Sequence, residues 1–196
     1  MGLQKSNSNA TFLTVKNGKF ALEVKEGGTQ ITTTNPRTNE TVTKNYELYN
    51  SLTGFITKVS SFQGKFSEKL KITLKDETDT FVIDINMDSD YALDFLKRLP
   101  NITLGAEVKL TPVKSEAKDK EGNQILNKEG KKVYNYYMAV AYLTPEGETE
   151  SIKSAYNENN PLPKWGKVTV NGREQVDKTE YIHALKSNIK ESEVNE

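Results

Sequence analysis

Six residues between positions 58 and 71 are of the types that hold a nucleic-acid strand: Lys58, Phe62, Lys65, Phe66, Lys69 and Lys71. The two rings flank Gly64, and Glu68 is the sole acid among them. Aromatic rings in a turn offer flat platforms for bases, each stacked base contributing about 1–3 kcal/mol, while lysines follow the phosphates. A second group, "KKVYNYY", sets Lys131 and Lys132 beside Tyr134 and Tyr136. Alternation puts Tyr134 and Tyr136 on one strand face and Tyr137 on the other. Each ring also has a structural use. A phenylalanine at a hairpin end can fold back over the core, and a strand tyrosine can bury its ring with the hydroxyl at the edge. Trp165, between Lys164 and Lys167, is expected to anchor a terminal segment rather than to stack.

Bond-making chemistry is missing. His183 is the single histidine and there is no cysteine, so thiolate metal sites, cysteine nucleophiles and a Ser-His-Asp arrangement have no support. Neither a Walker loop nor a G-x-G-x-x-G stands in the chain. The acid-rich stretch 76–90 reads as turns plus a helix start, where Asp88 and Asp90 favour the helix dipole. Paired carboxylates for glycoside hydrolysis are not marked. The expectation is a non-enzymatic protein with no cofactor and no metal.

Charge distribution says more than its total. Net charge is zero, yet residues 53–75 hold five lysines against one acid and residues 97–132 nine bases against five acids. Residues 144–196 reverse this, with ten acids against seven bases. A basic middle can bind a polyanion through one face whatever the total. The 196 residues, 35% of them hydrophobic, suffice for one good core. No apolar run is long enough to span a bilayer, and no signal peptide is visible, so a cytoplasmic location is expected. "MGLQKS" fits an N-myristoylation pattern but reads as a polar tail. Three Asn-x-Thr triplets carry no weight without a secretory signal.

Stepping along the chain, residues 1–10 read as a disordered tail, 11–143 as one domain and 144–196 as an acidic linker with an extension. "TFLTVKNGKFALEV" is a hairpin around Asn17-Gly18. Residues 25–45 read as a loop or a loose edge hairpin with breakers at Gly27-Gly28 and Asn35-Pro36. Residues 46–62 form one long strand bent at Gly54. Strict alternation marks strands at 68–76 and 79–87. The period then changes to helical over 88–101, with Asp88, Ser89 or Asp90 as N-cap, Tyr91, Phe95, Leu96 and Leu99 on the apolar face, and Pro100 as the stop. Alternation returns at 105–113 and 133–143. A small hairpin around Asn171-Gly172 and a short helix from Asp177 or Thr179 follow. No internal repeat stands out.

The order β-β-β-α-β-β is that of the OB-fold, a five-stranded, partly open Greek-key barrel. The predicted architecture is therefore mainly β: an OB-fold barrel with an N-terminal hairpin and a small C-terminal hairpin and helix. A β-sandwich with one incidental helix is the rival. OB-folds bind oligonucleotides or oligosaccharides on strands 2–3 and on the loops joining strands 1–2 and 4–5. Those loops correspond to "SFQGKFSE" and to residues 114–132, which places both basic segments on one side of the barrel.

The segment 54–113 with "YNYYMAVAYL" resembles the OB-fold single-stranded DNA-binding proteins of bacteriophages. "NPLPKWGKVTVNG" is similar to C-terminal segments of phage proteins of this sort. The resemblance implies coating of single-stranded DNA in phage DNA replication and recombination, in the host cytoplasm, without catalysis. It also implies recruitment of replication or recombination proteins by an acidic tail, but "ESEVNE" lacks the apolar tip such tails carry. The competing expectation is a β-barrel protein-interaction or structural module with no nucleic-acid affinity. An oligosaccharide-binding barrel would use the same rings without the lysines.

Overall fold

The computed structural model describes residues 10–34, 39–144, 146–170 and 173–190. The predicted tail, the Asn35-Pro36 breaker, the Asn171-Gly172 turn and the acidic "ESEVNE" end lie largely or wholly outside these residues.

The chain begins with the expected hairpin, β1 (Ala10–Lys16) and β2 (Lys19–Val24). Asn17 and Gly18 both take positive φ, 51° and 78°, which is what a two-residue hairpin turn of this twist requires. Residues 25–45 are more regular than expected. They supply β3 (Thr29–Thr34) and the start of β4 (Thr41–Tyr49), paired without a bulge from Thr29↔Tyr46 to Thr34↔Thr41. The long strand expected over 46–62 is two strands, broken at Asn50-Ser51, because the halves have different partners. Leu48 of β4 pairs with Ala21, whereas Leu52 of β5 (Leu52–Gln63) pairs with Leu110.

Alternation located the next strands closely. In β6 (Glu68–Lys75), Leu70, Ile72 and Leu74 are fully buried; in β7 (Thr80–Asn86), Ile83 is fully buried and Ile85 nearly so. Helix α1 (Asp90–Arg98) follows, capped by Ser89, whose hydroxyl accepts the Ala92 N–H at 3.3 Å, and a 3-10 turn over Leu99–Asn101 ends it at Pro100. Then come β8 (Glu107–Glu116) and β9 (Tyr134–Leu143), a short β10 (Thr149–Ser151), a separate hairpin of β11 (Gly166–Val170) and β12 (Arg173–Asp177), and α2 (Thr179–Lys190).

The protein is mainly β, but the sheet is larger than five strands. Ten strands run in the order β10-β9-β8-β5-β6-β7-β1-β2-β4-β3. The strands of the expected five-strand unit, β5 to β9, are consecutive in it as β9-β8-β5-β6-β7. Closing that unit into a barrel would require its outer members, β7 and β9, to pair, and among the described residues no ladder joins them. The N-terminal hairpin takes the place instead: β1 pairs with β7 in parallel, from Ala10↔Thr80 to Thr14↔Asp84.

The sheet nevertheless curls. In a flat sheet, the five ladder steps from β5 to β4 would separate them by about 24 Å. The chain joins Tyr49 to Leu52 through two residues, which reach at most about 11 Å. The strands between must therefore wrap round. Gly18 at the hairpin tip abuts β8, where a Cβ would come within 2.8 Å of Lys114. Gly54 permits the bend in β5: its φ is 155°, and a Cβ there would stand 2.6 Å from the Lys75 carbonyl oxygen. A bulge between Ile56 and Lys58 adds to the curvature.

The concave face holds the core. Phe20, Ile56, Val59, Leu110 and Met138 meet the α1 side chains Ala92, Leu93, Phe95 and Leu96. Residues 149–155 and α2 share this core through Ile152, Leu185 and Ile189. Asp94 and Arg98 tie the layers together. They pair at 2.5 Å; Asp94 accepts the Met138 N–H of β9, and the Arg98 Nε donates to the Ile152 carbonyl at 3.0 Å. Asn188 of α2 donates to the Leu96 carbonyl at 3.0 Å.

Candidate nucleic-acid interface

Register fixes which side chains share the convex face of β5, β6, β7 and β1. Residues paired across a ladder point the same way. Lys58, Thr73, Val82 and Phe12 form one row, and Ser60, Lys71, Asp84 and Thr14 the next. Phe62, Lys69 and Asn86 form a third. Beyond it, Gly64 donates its N–H to the Ser67 carbonyl at 3.0 Å and closes the turn that carries Lys65 and Phe66.

The rings behave differently. Phe66 is 87% exposed, with the Lys65 ammonium 5.2 Å from its centroid. Phe62 is half-buried on the sheet, with Lys71 at 4.6 Å. A cation over an exposed ring contributes about 0.5–1 kcal/mol and occupies one ring face. The same ammonium can turn to a phosphate when a base takes that face. Among the described residues, no carboxylate is ion-paired with Lys58, Lys65, Lys69 or Lys71. Glu68, the acid within this group, is held by Lys186 of α2 at 2.5 Å. On the convex face itself Asp84 stands opposite Lys71 without an ion pair, so four lysines there face one carboxylate in these rows.

The second group is arranged otherwise. Lys131 pairs with Glu129 at 2.7 Å and Lys132 with Glu116 at 2.6 Å, so much of their charge is satisfied within the protein. Tyr134 and Tyr136 are half-buried and lie on the core side of β9, in line with buried Met138 and Val140. Their rings stand 6.4 Å apart, and Tyr136 meets Tyr91 of α1 edge-on at 5.8 Å. Burial pushes the Tyr91 hydroxyl above its usual pKa, partly offset by the nearby Gly18 N–H. Lys114 lies over Tyr134 at 4.2 Å and near Tyr136 at 5.9 Å.

The first turn of α1 links the two groups. Ser67 beside the β5–β6 turn bonds to Asn86, Met87 donates its N–H to the Glu68 carbonyl, and four residues later Tyr91 reaches Tyr136. A groove of about 370 Å³ opens there, lined by Asp88, Ser89, Asp90, Tyr91, Tyr136 and Lys178. Lys178 faces Asp90 across it at 3.8 Å, so one of its two carboxylates is partly balanced, and its tyrosine walls are apolar with polar edges.

Three further candidate residues were not singled out from the sequence. Phe12, 61% exposed, extends the convex face beyond β7, and its signal was a large ring at an outward position beside inward Leu13. Lys114 and Tyr91 stood in the sequence as a loop residue and a core plug. Two others lie apart: Trp165 is half exposed, edge-on to Tyr181 at 5.9 Å with Lys178 at 4.3 Å, and His183 is exposed on α2.

The connection 117–133 is not a floppy loop. "DKEGN" and "NKEGK" are near-repeats that fold into two like turns, a similarity the sequence reading passed over. Asp119 accepts the N–H groups of Glu121 and Asn123, and Asn127 those of Glu129 and Lys131, all at 2.9–3.0 Å. These bonds, the Asn123 N–H first, hold the Asp119 carboxyl below the usual carboxylate pKa. Gln124 donates to the Ala117, Ile125 and Val133 carbonyls and locks the base of both turns.

Among the described residues no helix is long and apolar enough to cross a membrane. Compared with known proteins, the chain matches no family model, no curated protein and no solved structure.

Proposed function

We propose that this protein binds single-stranded DNA without catalysing a reaction, on the convex face of β5, β6, β7 and β1. The strand's phosphates meet Lys58, Lys65, Lys69 and Lys71, and its bases stack on Phe66, Phe62 and Phe12. Lys114, Tyr134 and Tyr136 extend the path past the start of α1. The observation that carries this reading is Phe66. A ring 87% exposed on a closed turn, next to lysines that have no ion pair among the described residues, does nothing for the core. In this proposal β5–β9 with α1 are an OB-type unit opened by the inserted hairpin β1–β2. The role is that suggested by the phage resemblance, coating single strands during replication and recombination in a host cytoplasm.

The test is fluorescence anisotropy of a labelled oligo-dT of about 30 nucleotides at about 50 and about 200 mM salt, with a duplex of equal length as control. Salt-sensitive preference for the single strand is expected. A second reading has its own observation. Ile125 and Leu126 are exposed on the braced connection, as a protein-binding module would present them. Absence of binding at micromolar protein would favour that reading.

A further inference from the structure

The sheet ends in two edges, and they are built differently. At one end β10 is three residues long and carries Glu150. Short length and charge are standard ways of keeping another strand from adding. At the other end β3, "TQITTT", has six residues, no charge and no proline, and its ladder with β4 runs without a bulge. Every residue of it is a good or tolerated strand former. Every second residue turns its N–H and C=O away from β4, and among the described residues no strand pairs on that side.

Both faces of this edge are self-complementary. Gln30, Thr32 and Thr34 share one face with Asn45, Thr43 and Thr41; the Thr32 and Thr43 hydroxyls are 3.0 Å apart and those of Thr34 and Thr41 3.3 Å. Thr29, Ile31 and Thr33 share the other with Lys44 and Val42, and Lys44 is drawn back to Glu23 at 2.7 Å. A two-fold axis perpendicular to the sheet brings β3 antiparallel to its own copy and keeps like faces together. Threonine then meets threonine or glutamine on one face, and apolar or threonine side chains meet on the other, with no like charges opposed.

We infer that β3 is a self-association edge, through which two copies of this chain pair to make one continuous sheet across a two-fold axis. The occupant is a second copy rather than a foreign strand, because the edge is neutral and matches itself on both faces. The inference does not depend on nucleic-acid binding.

Sedimentation of the full chain, without DNA, gives the first readout, and twice the 22.1 kDa chain mass is expected. The double substitution Ile31→Lys with Thr33→Lys opposes charges across the axis and should weaken association at least tenfold with an unchanged circular-dichroism spectrum. Because the chain has no cysteine, single Ile31→Cys, Thr32→Cys and Thr33→Cys variants report the contact and its register, since the two-fold axis sets only one position opposite its own copy. Residues opposed across an antiparallel pair lie within disulfide range, so oxidation of the variant at the axis should yield a cross-linked dimer that Glu121→Cys does not. A single 22.1 kDa species up to about 100 μM overturns the inference, as does a dimer that survives the lysines without cross-linking at β3.

Discussion

Replacing Phe66 with alanine separates binding from folding more cleanly than any other change on the convex face. The ring is 87% exposed and meets the neighbouring Lys65 ammonium at 5.2 Å. Truncation removes almost no buried area, so unfolding free energy should change by no more than about 0.5 kcal/mol. Loss of one stacking platform should cost about 1–3 kcal/mol of binding, a factor of roughly 5 to 150 in Kd. Phe62 is half-buried beneath Lys71, so Phe62→Ala should also cost some stability. The double variant should weaken binding at least about tenfold. The assay is the anisotropy titration described above, run beside a thermal melt. If the wild type binds and the double variant, still folded, binds with the same Kd, the rings are not platforms and the convex-face path is wrong.

The salt dependence distinguishes the two lysine groups: Lys58→Gln, Lys69→Gln or Lys71→Gln should each lower the log Kd–log salt slope by about 0.7, whereas Lys131→Gln and Lys132→Gln should change it less, because Glu129 and Glu116 already pair with those ammoniums. Asp94→Ala should destabilise the fold by about 1–3 kcal/mol in urea melts, since it leaves the Met138 N–H and Arg98 without their shared acceptor. Gly54→Ala, at a φ of 155° against the Lys75 carbonyl, should cost roughly 1–3 kcal/mol, visible as a lower Tm. The depressed Asp119 carboxyl stabilises its turn above the unfolded aspartate pKa, and that contribution is lost as pH falls through the lower folded value; amide exchange at Asn123 should therefore rise, relative to neighbouring amides, under acid.

Local periodicity made the elements around the site legible. Leu70, Ile72 and Leu74 against Lys69, Lys71 and Lys75 marked β6 and its two faces, and Ser89 with Pro100 bounded α1. What stayed hidden depended on partners remote in sequence. Alternation shows that β1 has an outward Phe12 but not that β7 is its neighbour. Residues 46–62 read as one strand because Asn50-Ser51 breaks no pattern; only pairing with β2 on one side and β8 on the other divides them. The charge of Lys132 looked available until the fold set Glu116 beside it. Lys114 and Tyr91 joined the site only through the curl that brings the hairpin tip against β8 and α1.

The parallel pairing of β1 with β7 also has a consequence in time. During synthesis β1 and β2 emerge before β7, and β1's partner, with Ala10 opposite Thr80, lies about 70 residues downstream. The hairpins β5–β6–β7 and β8–β9 are joined by near neighbours and can form as soon as they are made. The hairpin at the N-terminus has to wait for them and then dock against a completed edge. Until it does, β7 presents an open strand edge to solvent, and that interval is when a nascent chain of this protein is most exposed to pairing with another.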